Sequence, residues 1–396
     1  MGAISLSETL SRLMEKDESM SSFFKNKVVY IFSPQPWDYL QISKHHYARA
    51  LAKQNQVYFV TPPNNGWWFT FSMKEIQKGL IIVRYTLPTP NFLRFKFPKV
   101  YKLVLLLYLS SLLKKRAQLA DVVFDFGCYQ QFESLDFIDA PYKIFFPVDE
   151  LSNITHDMRG SMVVFSVSNT VLRNFSNSPA YFINHGLSDS FMRKANLALK
   201  NINSENGLST IRVGYAGNFF SRFLDSQLFM ALIHENPNIE FHLFGEIPVG
   251  KVGSDKSPWL KFLHSKSNIV LHGFCDPDSL IEKYQGIDAF LICYKNDGTL
   301  RVTENSHKLM EYLSTGKVVI STYLSLYENS TLIEMEMVNE VQSNFLSLFQ
   351  KVISNLKYYN RAEISSARIQ FAMGHSYDTN VEYIAETMEK LAKGIL

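Results

Sequence analysis

Cysteine is scarce in this chain. Its three cysteines among 396 residues, Cys128, Cys275 and Cys293, are odd in number, far apart, and include no Cys-x-x-Cys pair. That argues against a disulfide framework and leaves packed, reduced thiols in a reducing compartment. A surplus of one charge is also missing. Forty Lys and Arg against 37 Asp and Glu give a net charge of +3, well short of the basic excess of a nucleic-acid binder. Long apolar runs are absent as well. Leu103–Leu113 covers only 11 residues, and a membrane span needs about 20. At the amino end, Ser5, Ser7, Glu8, Ser11 and Arg12 interrupt the apolar residues, so no secretory signal is expected there. The first strand runs into Ser33-Pro34-Gln35-Pro36 rather than a Gly-x-Gly-x-x-Gly turn, which disfavours a nicotinamide dehydrogenase. No repeat or low-complexity run stands out.

What remains is a folded, aromatic-rich composition: 46% hydrophobic, 14% aromatic, 19% charged. The length exceeds what one core usually supports, so two domains are expected. Residues 1–26 read as an amphipathic leader helix. Strand periodicity at Lys27–Phe32 and Val57–Thr61, with helical spacing at Gln41–Lys53 between them, makes a parallel α/β unit. Further strands are expected near 80–85, 122–126, 143–146, 162–166 and 181–183, with a long helix at 98–118. This first α/β domain covers 27–192. The polar stretch 193–209, rich in Asn, Ser and Lys, reads as a linker. A second α/β series covers 210–376, and 377–396 reads as a terminal helix. Two such domains place ligands at the carboxyl ends of their sheets, across a cleft.

The chemistry concentrates at Asn305-Ser306-His307-Lys308-Leu309-Met310-Glu311-Tyr312-Leu313-Ser314-Thr315-Gly316-Lys317, followed by the β-branched run Val318-Val319-Ile320. Asn305 or Ser306 is suited to cap a short helix. The free backbone N–H groups at that end favour an anion. Lys308 in the first turn opposes the helix dipole by about 0.3–1 kcal/mol, and a bound diphosphate would reverse that sign. Glu311 lies three residues on, on the same face, where a carboxylate can accept hydrogen bonds from ribose hydroxyls. An ordinary surface Lys–Glu pair is the competing explanation.

This segment resembles the donor-site signature of retaining, nucleotide-sugar-dependent glycosyltransferases of the GT-B fold (family 4 and its relatives), in particular those of bacterial polysaccharide assembly. A Pro-x-Lys-x-x-Glu-Tyr-Leu-Ala-x-Gly-Lys-Pro-Val-Val run recurs there. Ser306 and Val318 stand here for the usual prolines. The resemblance implies two Rossmann-like domains facing a central cleft, with the terminal helix returning to the first. It implies a UDP-, GDP- or dTDP-sugar donor, with Lys308 on the diphosphate and Glu311 on the ribose. The earlier glutamate of many relatives falls on Thr303 here, with Glu304 one residue off. Ile211-Arg212-Val213-Gly214-Tyr215-Ala216-Gly217-Asn218-Phe219 is similar to the first strand and loop of the donor domain. There Gly217 and Asn218 would lie by the phosphate or sugar, and Arg222 could supply a charge. Gly245 and Phe274, at the ends of two further strands, would close the nucleotide pocket. No Asp-x-Asp metal signature is recognised, and metal-independent transfer with no cofactor is expected.

The first domain offers Phe146-Pro147-Val148-Asp149-Glu150 and then His156, the residue assigned by resemblance to contact the transferred sugar. His45-His46 lacks a third ligand for zinc. Residues 93–116 interleave bases with aromatics and end in Lys114-Lys115-Arg116. They could lie on an anionic membrane, or could simply cover the first sheet. The acceptor implied by the resemblance is a glycan or a polyprenyl-diphosphate-linked glycan, with a cytoplasmic location, peripheral to the inner face of the membrane if this contact forms. A sugar-nucleotide epimerase of the same fold and a non-catalytic sugar-nucleotide or polysaccharide-binding subunit remain as alternatives.

Overall fold

The structure, a computed structural model, describes residues 22–38, 41–64, 66–87, 95–127, 132, 134–147, 160–202, 210–246, 258–295, 304–337 and 345–395. It divides into two compact units. One comprises the described residues through Asn184 and the tail from Tyr377. The other is His185–Ser376.

The first unit opens with a 3-10 turn at Ser22–Phe24, the described remnant of the expected leader. It continues as β1 (Val28–Phe32), α1 (Ser43–Ala52), β2 (Gln56–Val60), β3 (Thr70–Gln77), β4 (Leu80–Thr86), α2 (Pro98–Arg116), β5 (Val122–Asp125), β6 (Tyr142–Phe145), β7 (Val163–Ser166), α3 (Asn169–Leu172) and β8 (Ala180–Phe182). The eight strands order as β3-β4-β2-β1-β5-β6-β7-β8, all parallel except β3, which runs antiparallel on the edge. The central strands are covered on both faces, which explains why Val28-Val29-Tyr30-Ile31-Phe32 reads as an unbroken apolar run. Strand β3 is different. It alternates between exposed and half-buried positions, and its Ser, Lys, Glu and Gln hid it from a search for apolar runs.

The second unit holds α4 (Asp189–Lys200), β9 (Arg212–Ala216), α5 (Ser226–Glu235), β10 (Glu240–Phe244), α6 (Pro258–Ser265), β11 (Ile269–Gly273), α7 (Pro277–Tyr284), β12 (Ala289–Ile292), α8 (His307–Leu313), β13 (Val318–Ser321), β14 (Glu334–Met335), α9 (Phe345–Ser354), α10 (Leu356–Tyr359) and α11 (Ala362–Met373). Its six parallel strands order as β11-β10-β9-β12-β13-β14. The last helix, α12 (Tyr377–Ala392), packs on the first unit. There Tyr377 stacks on His46 at 4.9 Å, and Asn380 donates to the Tyr47 hydroxyl and the Asn184 carbonyl.

The expected linker at 193–209 needs correction. Residues through Lys200 continue α4, which packs against α7 and α11 and buries Phe191 and Ala195. The apolar side of this helix is spaced three and four residues apart, Arg193, Asn196 and Lys200 face outward, and Lys194 pairs with Glu282 of α7. Composition alone therefore resembles a linker, while residues 203–209 lie outside the described residues.

Candidate functional site

Helix α8 is positioned before any ligand arrives. Leu309, Met310, Tyr312 and Leu313 are buried, which leaves the Lys308 and Glu311 side chains about one-fifth exposed. The Lys308 Nζ sits 3.1 Å from a Glu311 carboxylate oxygen. Ser306 is the N-cap in extended conformation, but its hydroxyl does not cap the helix. It pairs with the Tyr294 hydroxyl at 2.9 Å instead, while the Asn305 side-chain oxygen accepts from Tyr327 at 3.3 Å. The amino end is thus braced by side chains from two other segments. At the far end Gly316 takes φ +78°, a left-handed conformation that glycine adopts without strain. Its carbonyl accepts from the buried Arg368 guanidinium, which also binds the carbonyls of Leu332 and Tyr359.

Tyr312 links this helix to the neighbouring strand ends. Its hydroxyl accepts from the Ala216 N–H at 2.7 Å, and its ring stacks on Phe290 at 4.4 Å. Ala216 precedes Gly217, so the loop after β9 is held in register with Lys308 and Glu311. The ends of β9, β10 and β11 then form a ledge of backbone. Gly217 N–H donates to the Phe244 carbonyl and Gly245 N–H donates to the Gly273 carbonyl, each at 2.9 Å. Gly245 is required there: an added Cβ would stand 2.1 Å from the Gly217 carbonyl oxygen. At Gly217 the Cβ would meet the Tyr215 hydroxyl at 2.9 Å. At Gly217 and Gly245 the place of a side chain is thus taken by the protein itself, which lets the strand ends approach closely, whereas at Gly273 an added Cβ would meet nothing within 4 Å.

Burial, then the Tyr312 hydroxyl and the Glu311 carboxylate, push the Tyr284 phenol well above its usual range. The Tyr284 ring, at the end of α7, lies 5.7 Å from that of Tyr312. His307 keeps exposed surface but is densely surrounded. That desolvation, followed by the Lys308 charge and His185, holds its imidazole well below the usual range. The His185 and His307 rings lie 6.0 Å apart.

The other expected residues divide. Asn218 is exposed, and its side-chain oxygen accepts from Phe220 N–H at 2.8 Å, shaping the loop. Arg222 is exposed, with its guanidinium 4.7 Å from the ring of its neighbour Phe223. Phe274 is 58% exposed beside the ledge. Glu304 is buried. His156, Asp149, Glu150 and Thr303 lie outside the described residues. One Asp-x-Asp spacing does occur, at Asp276-Pro277-Asp278. Its first carboxylate caps α7 by accepting from the N–H groups of Asp278 and Ser279, so it serves as a helix cap. Among the described residues no group of three His, Cys, Asp or Glu could hold a metal ion. His45 is a core residue. Its Nδ1 accepts from Ile42 N–H at 3.2 Å and its Nε2 reaches the Pro36 carbonyl at 3.1 Å.

Sequence reasoning passed over Tyr312, Tyr294 and Arg368. Tyr312 stood inside the recognised motif, but its spacing gave no sign that its hydroxyl would reach Ala216. The partners of Tyr294 and Arg368 are set by tertiary contacts.

No protein-family model matches the chain, and no curated protein matches it. Solved structures do. An α,α-trehalose 6-phosphate synthase from Burkholderia multivorans superposes with TM-score 0.63 at 9% identity, covering 94% of this chain and 100% of that one. A sucrose-phosphate synthase from Thermosynechococcus elongatus gives 0.62 at 12% identity, with 93% and 99% covered. An Anabaena protein solved in complex with UDP and glucose gives 0.58 at 13% identity, with 92% and 100% covered. The likeness spans both units and shows the fold: two Rossmann-like sheets in the GT-B architecture.

Proposed function

We propose that this chain transfers a sugar from a nucleoside-diphosphate sugar to a glycan or lipid-linked glycan acceptor, with retention of anomeric configuration, in cell-surface polysaccharide assembly. The carrying observation is the Lys308–Glu311 pair, held at 3.1 Å on a helix whose Tyr312 is tied to the loop before Gly217. A partly exposed i,i+3 ion pair adds only about 0.3–0.5 kcal/mol to a helix. Stability is thus a weak reason for a lysine in a first turn, where the dipole opposes it. An anionic ligand is a stronger one.

In this reading the two side chains exchange partners on binding. Lys308 moves to the diphosphate, and Glu311 accepts from the ribose hydroxyls. The strand ends that Gly217 and Gly245 bring close together would present main chain to the phosphates and sugar, and Phe274 borders the base. Arg222 and Asn218 would have to turn from their present contacts to reach the ligand. As the bond between the sugar C1 and the phosphate oxygen breaks, negative charge grows on the leaving diphosphate, and Lys308 meets it. The acceptor oxygen forms the new C1 bond on the same face, and its proton passes to the leaving phosphate oxygen. His156 contributes a hydrogen bond to the transferred sugar. No step needs a protein nucleophile, and the charge on the leaving group is met without a metal ion. A cytoplasmic location accords with the reduced cysteines.

The test is a screen of purified protein against UDP-, GDP- and dTDP-sugars, with and without glycan and lipid-linked acceptors, read by release of nucleoside diphosphate. Acceptor-dependent release supports the assignment. Donor binding without turnover across the acceptor panel would point to a binding subunit. Free nucleotide and an altered sugar without any acceptor would point to an epimerase.

A further inference from the structure

A surface of the first unit carries a second feature. Helix α2 is apolar on two sides. Tyr101, Leu105, Leu109 and Leu113 are buried under the sheet, while Val100, Leu103, Val104 and Leu107 form another row, 38% to 59% exposed. A helix covering a sheet in water normally turns polar residues outward. Here the outward row is apolar and it continues into the segment before β3. The Phe69 ring packs on Tyr108 at 4.9 Å, and the Tyr108 hydroxyl donates to the Thr70 carbonyl at 3.1 Å. Those contacts fix Trp67 and Trp68 beside the helix, where they are 92% and 80% exposed.

Charge on this stretch is one-sided. From Ile76 to Ala120 there is no Asp or Glu, against nine Lys and Arg, in a chain whose net charge is only +3. Lys96 and Lys99 mark one end of the helix, and Lys114, Lys115 and Arg116 the other; all five are exposed. Two nearly bare tryptophans project rather than wall a groove, which suits a flat, deformable partner. A second copy docking through the same face would meet charge of the same sign. Among the described residues no helix is long and apolar enough to cross a membrane.

We propose that this face rests on an anionic lipid bilayer. Trp67 and Trp68 enter the boundary between headgroups and acyl chains, the outer row of α2 lies in the interfacial plane, and the flanking bases meet lipid phosphates. The proposal goes beyond the donor site: the surface belongs to the other unit, and its test reads no sugar transfer.

The experiment is co-sedimentation of the full chain with vesicles of phosphatidylcholine alone or with about 30% phosphatidylglycerol. Binding is expected to anionic vesicles and at least about tenfold weaker to neutral ones, with a further loss of about tenfold when salt rises from about 0.05 to 0.5 M. W67S/W68S and K114E/K115E/R116E should each weaken it comparably, with unfolding midpoints unchanged because these side chains are exposed. Should the tryptophan variant fail to fold, the charge variant and the salt series decide. Absence of binding to anionic vesicles, or equal binding by the variants, overturns the proposal. So does a concentration-dependent dimer in light scattering that the tryptophan variant abolishes while no vesicle is bound.

Discussion

Tyr312 ties a helix to a neighbouring strand end through one side chain. Its hydroxyl satisfies the buried Ala216 N–H while its ring fills space on Phe290. Tyr312→Phe keeps the ring and orphans the amide, which should cost about 1–3 kcal/mol in chemical denaturation. The same variant should raise the donor KM more than it lowers kcat, because it loosens the ledge without touching the reacting atoms. Gly245 is stricter. Gly245→Ala places a Cβ 2.1 Å from the Gly217 carbonyl oxygen, so either the strand end shifts or the second unit destabilises. A lowered unfolding midpoint with lost nucleotide affinity is expected. An unchanged midpoint with wild-type affinity would show that the ledge yields to an added methyl group. That Lys308 and Glu311 would share one face of a short helix was legible in sequence, because their three-residue spacing fixes it. The Tyr312–Ala216 bond was not, because it joins residues 96 apart.

At the scale of elements, both sheets were legible wherever strands are apolar on both faces, as at Val318-Val319-Ile320-Ser321. The polar edge strand β3 and the amphipathic α4 were not, since alternation or a single apolar stripe dilutes their composition. Helix α1 makes a pH prediction. Burial holds the His45 imidazole down to about 4, against a usual 6.5, with Lys44 and Arg49 adding to the shift and the Pro36 carbonyl, which accepts from Nε2–H, opposing it. Its Nδ1 accepts from Ile42 N–H, so protonation there would break that bond. Because the folded value is depressed, the unfolded chain binds more protons between pH 6.5 and 4. The stabilisation is complete above 6.5 and is lost as pH falls toward 4, by at most about 3 kcal/mol. Denaturation midpoints measured across that window should fall with pH, and less steeply in His45→Asn. An identical slope in that variant would exclude His45 as a source.

For the whole molecule, the chain leaves its first unit after Asn184 and returns to it at Tyr377. The returning helix supplies Ile384, Ala385 and Met388 to that unit's core, and Lys53 pairs with Asp378 at 2.6 Å. Truncation after Ser376 should therefore lower the unfolding transition of the first unit and leave the second nearly unmoved, giving two separated transitions in calorimetry. Joint loss of both would show that the units are stabilised as one. The proposed sugar transfer requires nucleotide recognition by the segment around Lys308. Its most direct test is calorimetric titration of UDP, GDP and dTDP into the intact chain and into Lys308→Ala. At least one nucleoside diphosphate should bind the intact chain, and the variant should bind it about ten- to a hundredfold more weakly, the loss of one charge-assisted contact, with an unchanged unfolding midpoint. Equal affinity in the two proteins, or no binding of any of the three to the intact chain, would contradict the account.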